Sequence, residues 1–228
     1  MKTASLTFEQ VYQQLEDFGH ESVRRLYAKQ GAGANQFGVK LGDLRGLAKK
    51  LKKNHPLALQ LWASGNSDAM ILATMVMDPG QLTAADAQTM AEPLTYAKPL
   101  DELVGNVLVH TPFAEELRLR WMNAPEGLLG RAGWQLLVAR ITRGDTEGLD
   151  YDALLAQIEA EILTTPKPKQ EVMNRVLAEI GIQTPNYRQR CIELGERLGR
   201  FDDRPVHKGC TSPYVPEWIA AVLNRQKK

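Results

Sequence analysis

The chain has 228 residues, a formal net charge of +1, 43% hydrophobic residues and 24% charged residues. That length can bury one large core or two small ones, and the composition is that of a folded domain, which excludes a disordered chain. No apolar run nears the ~20 residues of a membrane helix, and near-neutral charge excludes a uniformly basic coat while permitting a basic face backed by an acidic one.

Residues 1–9 lack the apolar segment of a secretory signal. The two cysteines, Cys191 and Cys210, cannot build a disulfide framework. The expectation is a soluble protein of a reducing cytoplasm.

Helical periodicity runs through nearly the whole chain, and β-like alternation is sparse. Thr7 with Gln10 three residues on forms a capping-box pattern that opens the first helix, and Gly19 closes it. A second helix is predicted over 21–30, and Gly31 to Ala34 form a loop. The helix near 43–53 has Leu44, Leu47 and Leu51 on one face and Arg45, Lys49, Lys50, Lys52 and Lys53 on the other. Pro56 suits the first position of a helix over 57–63. Ser67 is predicted to cap a central apolar helix over 68–77. Pro79-Gly80 is a turn, and Thr83 with Asp86 starts the next helix, ending near 94. Pro99 opens 100–110, Pro112 stops it, and 113–122 follows. Pro125 opens what reads as the longest helix, reaching about 143. Helices over 150–163, 170–181 and 185–198 come next, the first two separated by the breakers Pro166 and Pro168. An irregular tail from 201 ends in a short helix over 217–224.

About twelve short helices in successive pairs, at the ~40-residue scale of HEAT-like repeats, make an all-α solenoid of antiparallel helix pairs the preferred fold. It occupies 1–200, and the tail over 201–228 packs on the same domain. A closed irregular bundle is the rival architecture. A solenoid leaves one long concave, basic groove for a partner.

Little in the sequence points to metal or cofactor chemistry. His20, His55, His110 and His207 are scattered, and His207 with Cys210 supplies only two potential ligands. Gly31-Ala32-Gly33 follows a helix and lacks the Lys-Ser/Thr ending of a phosphate loop. No metal, nucleotide or other cofactor is expected. Cys191 falls on the apolar side of its helix and reads as core. The four tryptophans, Trp62, Trp121, Trp134 and Trp218, also read singly as core.

Cations say more. Arg24, Arg25, Lys29 and Lys40 lead into the basic helix, and arginines recur from Arg118 to Arg200, whereas acids cluster between Asp145 and Glu161. Such segregation would supply a face that neutralises phosphates and releases their counterions. Solvated helix faces are the plain alternative. Arg131 stands out because it interrupts the apolar stretch Leu128 to Leu137, where a guanidinium requires an acid, such as Asp101 or Glu102, or an anionic ligand.

Three segments carry a resemblance. Gly38-Val39-Lys40-Leu41-Gly42-Asp43-Leu44-Arg45 looks like a G-(V/I)-(R/K)-x-x-x-L-R element. Leu59 to Trp62, followed by Met70 to Ala73, and then Leu129-Gly130-Arg131-Ala132 complete it in order. Over roughly residues 8–200 the chain resembles the DNA alkylation repair family of HEAT-like proteins, whose best-known members are alkylpurine DNA glycosylases. The resemblance implies duplex DNA as partner and hydrolysis of the N-glycosidic bond of a cationic alkylpurine, by a carboxylate, two tryptophans and an arginine. Of these only the arginine carries over, as Arg131. The W-D-x-x-D segment falls on Leu100-Asp101-Glu102-Leu103-Val104, so Leu100 takes the tryptophan position and Val104 the aspartate position, and the second tryptophan falls near Arg175. Asp101 or Glu102, with Arg131, would be the catalytic set under a shifted register. The residues expected to meet DNA are Lys40, Arg45, Lys49, Arg131, Asn174 and Arg175. The expected function is recognition of damaged or distorted DNA by a monomer with base excision weak or lost. An active glycosylase and a protein-binding scaffold are the alternatives.

Overall fold

The computed structural model describes residues 6–125, 127–201 and 212–226. The pair His207 and Cys210 lies outside them. Among the described residues there are thirteen α-helices and no strand; the one β-bridge joins Gly19 to Val39. The helices are α1 (Phe8–Asp17), α2 (Glu21–Lys29), α3 (Leu41–Leu51), α4 (His55–Ala63), α5 (Ser67–Val76), α6 (Ala84–Ala91), α7 (Ala97–Asn106), α8 (Ala114–Met122), α9 (Gly127–Thr142), α10 (Tyr151–Glu161), α11 (Lys167–Gln183), α12 (Arg188–Leu198) and α13 (Val215–Gln226). No described helix is long and apolar enough to cross a membrane.

Local chemistry sets most boundaries. Both predicted capping boxes form, Thr7 with Gln10 and Thr83 with Asp86. At α5 the cap is Asn66, whose side chain accepts from the amides of Asp68 and Ala69, so Ser67 is the first helical residue and not the cap. Pro166 and Pro168 open α11 instead of breaking the chain, because a first-turn proline lacks an N–H that has no helical acceptor anyway. That makes α11, at 17 residues, longer than the 16-residue α9.

Two compact units result, 1–117 and 118–228. In the first, α5 is buried along almost its whole length and packs against α3, α4 and α7. In the second, α11 is the central rod, covered by α9, α10, α12 and α13. Leu137, Ile141, Ile158, Met173, Leu177 and Ile180 are among its buried side chains. Gly133 lets α9 approach α8 closely, since a Cβ there would stand 2.3 Å from the Met122 nitrogen. Trp121 and Trp134 are core, whereas Trp62 and Trp218 are half-buried.

Cys191 is fully buried between α11 and α13, and burial pushes its thiol up to about 12. A thiolate is therefore absent near neutral pH, where nucleophilic or redox chemistry would require it. In native Cys210→Ser protein, a thiol reagent at pH 8 should label nothing until denaturant is added. Rapid native labelling would contradict this placement.

Candidate functional site

The most elaborate polar structure in the first unit surrounds the start of α3. Asp68, fully buried in the first turn of α5, accepts three backbone N–H groups from one short loop. Phe37 and Gly38 donate to Oδ2 at 2.7 and 2.9 Å, and Val39 donates to Oδ1 at 3.0 Å. The Tyr27 hydroxyl donates to the Val39 carbonyl at 3.2 Å. Its pKa lies above the usual tyrosine value, chiefly through burial and then through the charges of Asp68 and Glu102. Gly38 has φ +78°, and a Cβ on it would meet Arg24 Cγ at 2.3 Å and the His20 carbonyl at 2.7 Å. The clamped loop delivers Lys40 to the N-cap of α3.

α3 turns Leu44 and Leu47 into the core and leaves Lys40, Arg45 and Lys49 exposed. None of the three forms an ion pair among the described residues. Gly42 and Gly46 lie on the same open face, and a Cβ on either would meet nothing within 4 Å. Each interior glycine costs a helix about 1 kcal/mol relative to alanine, and nothing inside this fold requires it. The face is thus both cationic and bare of side chains, a shape that lets another molecule's charged backbone come close.

On α7, Leu100 and Val104 are fully buried. The positions where the resemblance places a tryptophan and a catalytic aspartate are therefore core positions here. The carboxylates that reach the half-buried side are Asp101 and Glu102. Glu102 lies 3.7 Å from Lys98 Nζ and accepts from Asn106 Nδ2 at 3.0 Å. The same amide also donates to Thr74 Oγ1 at 2.9 Å, tying α7 to α5. Glu102 is thus held by a cation and an amide.

The second unit redistributes the remaining expectations. Arg131 on α9 donates to Glu171 Oε2 at 2.7 Å and to the Pro168 carbonyl at 3.2 Å, tying α9 to the start of α11. Glu171 is thus an acidic partner of Arg131, and Asp101 and Glu102 belong to α7 in the first unit. Neighbouring Gly130 makes room for the stem of buried Lys169, whose ammonium reaches Glu161 at 3.2 Å. Asn174 is buried, and its amide donates to the Pro213 carbonyl at 2.8 Å, anchoring the chain ahead of α13. That contact turns it away from solvent. Arg175 is half-buried and lies 3.6 Å from Glu179.

The segregation of charge along the sequence does not survive folding in this unit. Arg140 pairs with Asp145 at 3.3 Å, Arg197 with Glu159 at 2.7 Å, and Arg190 with Asp152. The Tyr187 hydroxyl and then Arg190 hold the Asp152 carboxyl below its usual pKa. Asp145, Asp152 and Glu159 are thus partners of these arginines and Glu161 of Lys169, whereas the unpaired cations Lys40, Arg45 and Lys49 lie on α3 and its N-cap. Sequence reading missed Asp68; an acid in Asn66-Ser67-Asp68 signals only a helix N-terminus, and its contacts lie about thirty residues away.

Comparison with known proteins fits this architecture. The chain is 24% identical, over 97% of its own length and 95% of the other's, to a solved protein with which it shares a TM-score of 0.85. That protein is described as one of a new family related to the HEAT-like repeat DNA glycosylases, with affinity for branched DNA structures. At this identity the likeness establishes the HEAT-like fold. Two uncharacterised proteins also match almost end to end. Lin0241 of Listeria innocua is 23% identical over 95% of this chain and 96% of its own. Lmo0209 of Listeria monocytogenes is 21% identical over 97% of this chain and 100% of its own. Residues 10–201 match the family of DNA alkylation repair enzymes. That match spans most of the chain and includes α3, α7 and α9, so this protein belongs to the DNA alkylation repair enzyme family.

Proposed function

We propose that this protein binds DNA, recognising distorted, branched or damaged duplexes in a groove to which α3 contributes, with base excision weak or lost. The observation that carries the reading is the α3 face, where Lys40, Arg45 and Lys49 are exposed and unpaired beside two open glycines. Lysine and arginine without a base-reading motif give affinity for phosphates and little sequence preference. The branched-DNA affinity of the structural neighbour favours the same partner class. Titration of labelled duplex, gapped and branched DNA at two salt concentrations tests the proposal. Binding should weaken steeply with salt and depend little on sequence. No binding at low salt would favour the protein scaffold instead.

The competing reading, excision, draws on the two carboxylates of α7. Asp101 or Glu102 would have to stabilise the developing oxocarbenium charge with Arg131 nearby. Yet Glu102 is engaged by Lys98 and Asn106, and Arg131 by Glu171. A preorganised electrostatic partner is worth about 3–4 kcal/mol, roughly a hundredfold to a thousandfold in rate. Release of 3-methyladenine and 7-methylguanine from alkylated DNA should therefore stay near background. Robust release that Asp101→Asn or Glu102→Gln abolishes, with DNA affinity intact, would establish the enzyme instead.

A further inference from the structure

One element before α3, helix α2 and the loop over 32–36 enclose an open cleft of about 350 Å³. Glu21, Arg24 and Arg25 project into it from α2, and its other walls are mostly alanine and glycine. Both arginines share one carboxylate: Arg25 Nε lies 3.0 Å from Glu21, and Arg24 Nη1 lies 4.0 Å away. One positive charge is left over. On the facing wall, the amides of Gly33 and Ala34 have no acceptor among the described residues. Buried Gln36 donates from Nε2 to the Gly33 carbonyl at 3.1 Å and so fixes that loop. Arg24 is also held in place, because its stem lies across Gly38, two residues before Lys40.

From this geometry we infer that the cleft between α2 and the 32–36 loop is a phosphate-binding subsite, taking a backbone phosphodiester of nucleic acid and continuing the α3 surface past Gly38. The inference rests on the DNA-binding reading above. Two guanidinium groups offer the forked donors that match phosphate oxygens, and free backbone amides add neutral donors on the opposite side. Glu21 holds the arginines until a phosphate replaces it. An isolated anion gains little from exposed arginines in an open cleft, where water and salt screen it. A phosphate on a strand already seated on Lys40, Arg45 and Lys49 arrives at high effective concentration.

The test uses the full chain and a labelled four-way junction, with affinity measured from low to moderate salt. Arg24→Gln/Arg25→Gln, which keeps the packing stems, should weaken binding about tenfold at 0.1 M salt and lower the salt slope by about one unit, the effect of one lost phosphate contact. Glu21→Gln should move both quantities by similar amounts in the opposite direction. Wild-type binding that neither variant alters would overturn the subsite while leaving the α3 reading intact. No wild-type binding would remove both. Inorganic phosphate, titrated alone and followed by the amide signals of Gly33 and Ala34, separates the two sources of the anion. Tight saturable binding of phosphate, with junction affinity unchanged in Glu21→Gln, would assign the cleft to a free anion and overturn the nucleic-acid subsite.

Discussion

Replacing Lys40, Arg45 and Lys49 together by glutamine is expected to lower DNA affinity several hundredfold at 0.1 M salt. Each cation that neutralises a phosphate releases counterions and contributes about 0.9 to the slope of log affinity against log salt. Three such contacts give about 2.7, and at 0.1 M salt that difference in slope becomes a factor of several hundred. Wild type and variant should converge as salt approaches 1 M, where counterion release no longer favours binding. The fold should be indifferent, because all three side chains are exposed and unpaired. Surface changes of this kind typically stay within about 0.5 kcal/mol. Fluorescence anisotropy across a salt series, with thermal unfolding alongside, reads both quantities. A variant with unchanged slope and unchanged melting would remove α3 from the interface. The adjoining glycines sharpen the point: Gly42→Ala and Gly46→Ala should each raise stability while weakening DNA binding, because helix propensity improves as the bare face fills.

The second large effect concerns stability. Asp68→Ala should cost about 4–5 kcal/mol. Hydrogen bonds to a charged acceptor are each worth about 1.5–3 kcal/mol, and removing the shared acceptor leaves buried donors without partners. The amides of Gly38 and Val39 are buried with it and cannot turn to water in place. Asp68→Asn should cost less, since one carbonyl oxygen remains to accept. Chemical denaturation of both variants gives the order. Equal and small losses would show that the 37–39 loop holds itself, and that Asp68 does not position Lys40. If the clamp works as described, Asp68→Asn should also weaken DNA binding at temperatures where the protein remains folded.

The sequence alone determined the all-α class, both capping boxes, the polarity of α3 and the family. Each rests on interactions within three or four residues or on short ordered motifs, and a linear reading sees both. Leu44 and Leu47 at helical spacing imply that Arg45 and Lys49 face outward whatever α3 packs against. Tertiary structure decided which cations are spoken for. Arg197 and Glu159 are separated by 38 residues, as are Arg190 and Asp152. Arg131 finds Glu171 across 40 residues. A linear segregation of basic and acidic segments can therefore fold into neutral pairs, as it does between α10 and α12. Leu100, Leu103 and Val104 at helical spacing likewise mark the apolar face of α7, and all three are buried. What only packing decided is the element that covers that face, α5, and the hydrogen bond from Asn106 to Thr74 that joins the two helices, because a contact across 32 residues leaves no local pattern.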